Sequence, residues 1–135
     1  MNQKIKYLYI NYISKITNYY VPEYLIWSID VEPIATCNLK CGFCQVPGWE
    51  RARTTNPMKL ETYKNVIDKF KYLKFVKIQG MGEPFLNRKI AEMVSYTTSK
   101  NIKSHINSNG VLLTEELSKR LIDAKLTELN ISFDG

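Results

Sequence analysis

The chain has 135 residues, 44% of them hydrophobic and 24% charged, with a formal charge of +6 and a pI near 9.2. That length suits one domain whose core buries roughly 68–70% of the unfolded surface. The lysines are scattered without a long run, so the charge describes a solvated surface and gives nucleic acid only an electrostatic hint.

In chain order, the first stretch is MNQKIKYLYINYISKITNYY. Asn11, Ser14 and Lys15 interrupt its apolar residues, so it lacks both the h-region of a signal peptide and the length of a membrane span. Tyr9, Ile13, Ile16 and Tyr20 recur at helical spacing, which predicts a short amphipathic helix ending before Pro22. A cytoplasmic location is expected, where clustered cysteines stay reduced and signal metal or catalysis. SIDVEPI (28–34) alternates and stops at a proline, as a strand does. LETYKNVIDKFKYL (60–73) places Leu60, Tyr63, Ile67, Phe70 and Leu73 on one helical face. FVKIQ (75–79) is a second strand, residues 88–100 a second helix and IKSHIN (102–107) a third strand. Thr114 is placed to cap a helix over 114–125, with Glu115 and Glu116 where its dipole favours them. ELNISF (128–133) is a fourth strand.

Alternating strands and helices predict an α/β fold with a parallel sheet and right-handed crossovers. Every loop leaving a strand's C-terminal end then emerges on one edge, where such folds bind ligands. Those loops hold the unusual residues: CNLKCGFC (37–44), GMGEP (80–84), SNG (108–110) and DG (134–135). All three cysteines lie in the first. A disulfide would leave one unpaired, and structural zinc wants four ligands. The single histidine, His105, falls inside a predicted strand and offers no clear fourth ligand. An iron–sulfur cluster with one iron lacking a protein ligand is the remaining option.

Cys37-x3-Cys41-x2-Cys44 after a strand, followed by GMGEP, SNG and SFDG in order, resembles the radical S-adenosylmethionine (SAM) superfamily over residues 27–135. The resemblance implies a partial (β/α) barrel of which four βα units are present. Cys37, Cys41 and Cys44 would hold a [4Fe–4S] cluster, and SAM would chelate its open iron. Phe43 matches the aromatic position that lies against adenine. Met81 replaces the first glycine of the family's GGEP motif, while Gly80 and Gly82 permit close backbone approach to SAM. On this reading Gly82→Val should weaken SAM binding and leave the cluster largely intact. Glu83 would anchor the ligand amine or brace its loop. Ser108 and Ser132 match positions that contact SAM, with turn or cap chemistry as the alternative. The implied activity is reductive cleavage of SAM to a 5′-deoxyadenosyl radical that abstracts hydrogen from substrate.

SNGVLLTEEL…LNISFDG is most similar to the branch that modifies peptides or small metabolites and often carries extra C-terminal clusters. GMGEPFLN is also similar to the RNA-methylating branch, which departs from SFDG. A peptide or small-molecule substrate and a reductant such as flavodoxin or ferredoxin are therefore the expected partners, with no membrane and with nucleic acid left open by the charge. A non-catalytic iron–sulfur or zinc module and an inactive fragment are the alternatives. Residues 1–26 are expected to form an N-terminal segment and 27–135 an incomplete core, since the family's barrel has six βα units. The isolated chain is accordingly expected to aggregate or stay loosely folded without SAM turnover.

Overall fold

The computed structural model describes residues 26–48 and 56–133, together with Tyr12, Lys15, Ile16 and Glu50. The amphipathic helix expected before Pro22 lies outside the described residues apart from Tyr12, Lys15 and Ile16, and so does the closing DG pair.

Four strands form one parallel sheet: β1 (Ser28–Val31), β2 (Phe75–Ile78), β3 (Lys103–Ser108) and β4 (Glu128–Ile131), in the order β1-β2-β3-β4. Three helices make the crossovers: α1 (Leu60–Asp68), α2 (Ile90–Ser99) and α3 (Glu115–Asp123). Short 3₁₀ turns occupy Val46–Gly48 and Pro84–Leu86. The α/β class and parallel sheet expected from the alternation are thus the observed ones. With the strands parallel and in sequential order, α1 packs on α2 and α2 on α3, which puts all three helices on one face.

The strand alternation builds the core. Ile29 and Val31 pair in register with Val76 and Ile78, and Ile78 with Ile106, so these side chains point to the helices. Against them pack Tyr63 and Ile67 of α1, Met93 and Val94 of α2 and Leu121 of α3, all buried. Tyr63 keeps its hydroxyl satisfied in this apolar layer. Thr97 Oγ1 donates to the Met93 carbonyl at 2.9 Å, so the Tyr63 hydroxyl donates to Thr97 Oγ1 at 2.6 Å.

Boundaries differ from the sequence expectation in particular places. α1 stops at Asp68 rather than Leu73, where Lys69 N–H turns to the Val66 and Ile67 carbonyls and Leu73 N–H to Phe70. Leu73 remains in the core from the turn that follows. β1 ends at Val31, and Pro33 beyond it has no N–H to continue a ladder. Thr114 caps α3 as expected, its hydroxyl accepting from Leu117 N–H at 3.2 Å. β4 ends at Ile131, before an exposed Phe133.

Candidate functional site at the C-terminal edge of the sheet

The loops after β1, β2 and β3 meet at the edge where the strands end, and Glu83 is what joins them. It is only 2% exposed. Its Oε1 accepts from Phe85 N–H at 3.0 Å and from the Ser108 hydroxyl at 2.7 Å, while Oε2 accepts from Asn109 N–H at 2.8 Å. Its own N–H donates to the Thr36 carbonyl at 2.8 Å, reaching the loop that leads into Cys37. One carboxylate therefore satisfies donors from two loops and its backbone ties in a third. A buried carboxylate with this many partners is a fixed strut. Of the two roles expected for Glu83, the loop brace is the one its hydrogen bonds display. Ser108 is likewise engaged in turn chemistry, its hydroxyl also accepting from Gly110 N–H at 2.9 Å. Gly110 sits at φ +74°, a conformation that favours glycine.

The two glycines of GMGEP are demanded by the chain's own packing. A Cβ on Gly80 would collide with the side chain of Glu32, whose Oε1 accepts from Met81 N–H at 2.6 Å. A Cβ on Gly82 would overlap the Ile34 carbonyl oxygen and lie 2.6 Å from that of Thr36. Gly82 thus lies against the backbone before Cys37, and Gly80 against the Glu32 side chain. A side chain at Gly82 would therefore strain residues 34–36, which lead into the cysteine loop, as well as the GMGEP loop.

All three cysteines are free thiols, Cys41 and Cys44 exposed and Cys37 half-buried. Cys44 N–H bonds the Cys41 carbonyl at 3.0 Å. Cys37 Sγ accepts from Leu39 N–H at 3.4 Å and from Asn109 Nδ2 at 3.7 Å. Among the described residues no three His, Cys, Asp or Glu side chains converge closely enough to hold a metal ion. The cysteines share a loop and an edge, and their sulfurs are not gathered. The donor set nevertheless fits an iron–sulfur cluster: three reduced thiols on one short loop, one sulfur already placed as an acceptor of N–H groups. Phe43, between them, is fully exposed, and Ser132 is exposed with its N–H on the Ser108 carbonyl at 2.8 Å.

The sheet face opposite the helices carries His105 and, around it, residues that the sequence reading did not single out. Gln79 Nε2 donates to Asp30 Oδ2 at 2.8 Å, and Asn107 Nδ2 donates to Gln79 Oε1. His105 Nε2 lies 2.6 Å from Asn107 Oδ1, and its Nδ1 lies 3.2 Å from Glu128 Oε2. This polar ladder crosses all four strands. A closed barrel packs branched apolar side chains in such layers; here they are replaced by hydrogen-bonding groups. His105, 7% exposed, belongs to this ladder. The signal was present in the strands as a period-two recurrence of Asp30, Lys77, Gln79, His105, Asn107 and Glu128. No helix among the described residues is long and apolar enough to cross a membrane.

Comparison with known proteins gives three consistent findings. A family model of the Radical SAM superfamily matches residues 31–135. A tungsten-containing aldehyde ferredoxin oxidoreductase cofactor-modifying protein of Pyrococcus furiosus is 29% identical over 107 residues, covering 77% of this chain and 30% of that protein. A mycofactocin maturase of Mycolicibacterium smegmatis is 30% identical over 118 residues, covering 84% of this chain and 28% of its own length. The chain thus spans about 30% of the length of these curated relatives. The solved structure of BtrN in complex with AdoMet and 2-DOIA aligns with a TM-score of 0.67 over 79% of this chain and 45% of that one. At 23% identity that likeness shows a shared fold.

Proposed function

From the premise that the chain belongs to the radical SAM superfamily, whose enzymes use a [4Fe–4S] cluster and SAM, we propose that it forms part of such an enzyme, acting on a peptide or small-molecule substrate. The observation that carries this reading is the family match over residues 31–135 together with three free thiols on one loop within it. Residues 27–135 are read as the part of the core present here and 1–26 as the segment before it. Cys37, Cys41 and Cys44 would hold the cluster. Metal binding is itself a folding free energy, and cluster assembly would draw the exposed Cys41 and Cys44 together with Cys37. When bound, the cluster and SAM supply the radical chemistry that removes hydrogen from the substrate.

The chain's own residues contribute binding and order. Glu83 locks the loops after β1, β2 and β3 to one another, so Gly80, Gly82 and Ser108 keep fixed positions beside the cysteine loop. Phe43 offers an exposed ring at the same edge for a base to cover. Ser132 offers a hydroxyl on the edge from β4. The polar ladder supports a substrate rich in hydrogen-bonding groups, such as a peptide or polar metabolite. An apolar substrate would strip water from those groups and return nothing. A reductant such as flavodoxin or ferredoxin would supply the electron.

Anaerobic reconstitution tests this. The protein should take up a [4Fe–4S] cluster whose EPR spectrum changes on adding SAM, and alanine at Cys37, Cys41 or Cys44 should abolish it. A stable tetrahedral zinc site with no iron uptake would overturn the reading.

A further inference from the structure

Asn109, the first residue after β3, is oriented with no freedom to turn over. Its Oδ1 accepts from Val111 N–H at 3.0 Å, which assigns the other end of the amide as the donor. That Nδ2 faces Asn38 Oδ1 at 2.9 Å and Cys37 Sγ at 3.7 Å, one hydrogen for each. The backbone N–H of Asn109 is held at 2.8 Å by Glu83, which is buried and braced from two other sides. Cys37 Sγ also receives the Leu39 N–H at 3.4 Å. Among the described residues no N–H reaches the sulfur of Cys41 or Cys44, both of which are exposed. The three thiols are therefore electrically unequal before any metal arrives.

We propose that Asn109 is a positioning residue that tunes the cluster through Cys37, its N–H···S bond raising the reduction potential above what the cysteine loop alone would set. The inference rests on reading Cys37 as a cluster ligand. A donor dipole aimed at a thiolate withdraws electron density from it, and reduction adds one negative charge to the cluster. The same dipole thus stabilises the reduced cluster more than the oxidised one. The tie between the β3 loop and the cysteine loop and the electronic effect are separable, because the amide has two hydrogens with different targets.

The test uses full-length protein reconstituted anaerobically, with iron and sulfide content measured and reduction followed by EPR at poised potentials. Asn109→Asp keeps an oxygen for Val111 N–H and turns a negative oxygen towards Cys37. It should shift the reduced-to-oxidised ratio at fixed potential about tenfold towards the oxidised cluster, which is 59 mV for one electron. Asn109→Leu, which deletes the donor together with the Val111 and Asn38 bonds but adds no charge, should shift it the same way by less. Asn38→Ala keeps the N–H···S bond and removes an oxygen that also lies 3.8 Å from Cys37 Sγ, so it should not lower the midpoint. An unchanged midpoint in Asn109→Asp at full iron content overturns the proposal, and so does a shift in Asn38→Ala equal to that in Asn109→Asp. Where Asn109→Asp fails to hold iron, the midpoint of Asn109→Leu decides: unchanged, it overturns the proposal, and lowered, it supports it. A Cys37→Ala protein with the cluster and EPR spectrum intact would instead overturn the ligand reading, a separate result.

Discussion

Replacing Gly82 by alanine inserts one carbon where the structure has none to spare. That carbon would overlap the Ile34 carbonyl oxygen, lie 2.6 Å from the Thr36 oxygen and 2.7 Å from the Ala35 carbonyl carbon. These are backbone atoms, which cannot rotate aside as a side-chain end can. Either the GMGEP loop or residues 34–36 must move by the better part of an ångström. Overpacking of this kind costs about 1–3 kcal/mol. The shift also breaks the 2.8 Å bond from Glu83 N–H to the Thr36 carbonyl, a further ~0.5–1.5 kcal/mol. The total is about 1.5–4.5 kcal/mol, or roughly 10 °C in melting temperature for a domain of this size. Because residue 36 adjoins Cys37, iron uptake should fall together with stability, rather than SAM affinity alone. Thermal melts by circular dichroism and iron content after reconstitution measure both. Gly42→Ala is the control inside the cysteine loop, since a Cβ there meets nothing within 4 Å, and its effect should stay within about 0.5 kcal/mol. A Gly82→Ala protein that melts like its parent and binds a full complement of iron would refute the packing argument.

Other perturbations follow from the same contacts. Glu83→Gln keeps the shape but turns an N–H₂ towards one of the donors on Ser108, Phe85 or Asn109; thermal melts should show a loss of about 2–3 kcal/mol. Asn87 donates to the Pro33 and Met58 carbonyls, both at 3.0 Å, and accepts from Lys89 N–H, so Asn87→Leu should cost about 2–4 kcal/mol in urea unfolding. Burial pushes the Tyr63 hydroxyl up to about 12 from 10.0, partly offset by its bond to Thr97. A group whose folded value is raised contributes stability in full below the unfolded value and loses it as pH climbs between the two. Stability should therefore drop by about 2 kcal/mol from pH 10 to 12, and Tyr63→Phe should flatten that part of the urea-unfolding profile.

Much of the fold could be read from residue spacing because burial has a period. Val76 and Ile78 alternate with Lys77, and Tyr63 and Ile67 stand one helical turn apart, so strand and helix announce themselves locally. The end of α1 did not, because Phe70 and Leu73 stay apolar and partly or fully buried after the helix has turned into loop. The cysteine, GMGEP and SNG loops were also recognisable as a group, since strand polarity sends them to one edge. What spacing could not reveal was who holds whom there. Glu83 binding Asn109 and Ser108, or Gly82 resting on residues 34–36, are contacts between loops far apart in the chain. Nothing periodic encodes them. The ladder from Asp30 to Glu128 was hidden differently: its members show as ordinary polar alternation, and only the pairing of four strands makes them one network.

The strand order β1-β2-β3-β4 carries a consequence for assembly. Each strand pairs with its neighbour in sequence, so among the described residues none must be threaded between two others. Growth in chain order is open to a polypeptide emerging from its N-terminus at the pace of translation. The crossovers also shorten along the chain, from the long one that carries the cysteines between β1 and β2 to the brief one between β3 and β4. Loop closure costs least for the shortest. β2, β3 and β4 with their helices are then the fastest part to close, and β1, docking across the longest connection, brings the thiols to their edge last.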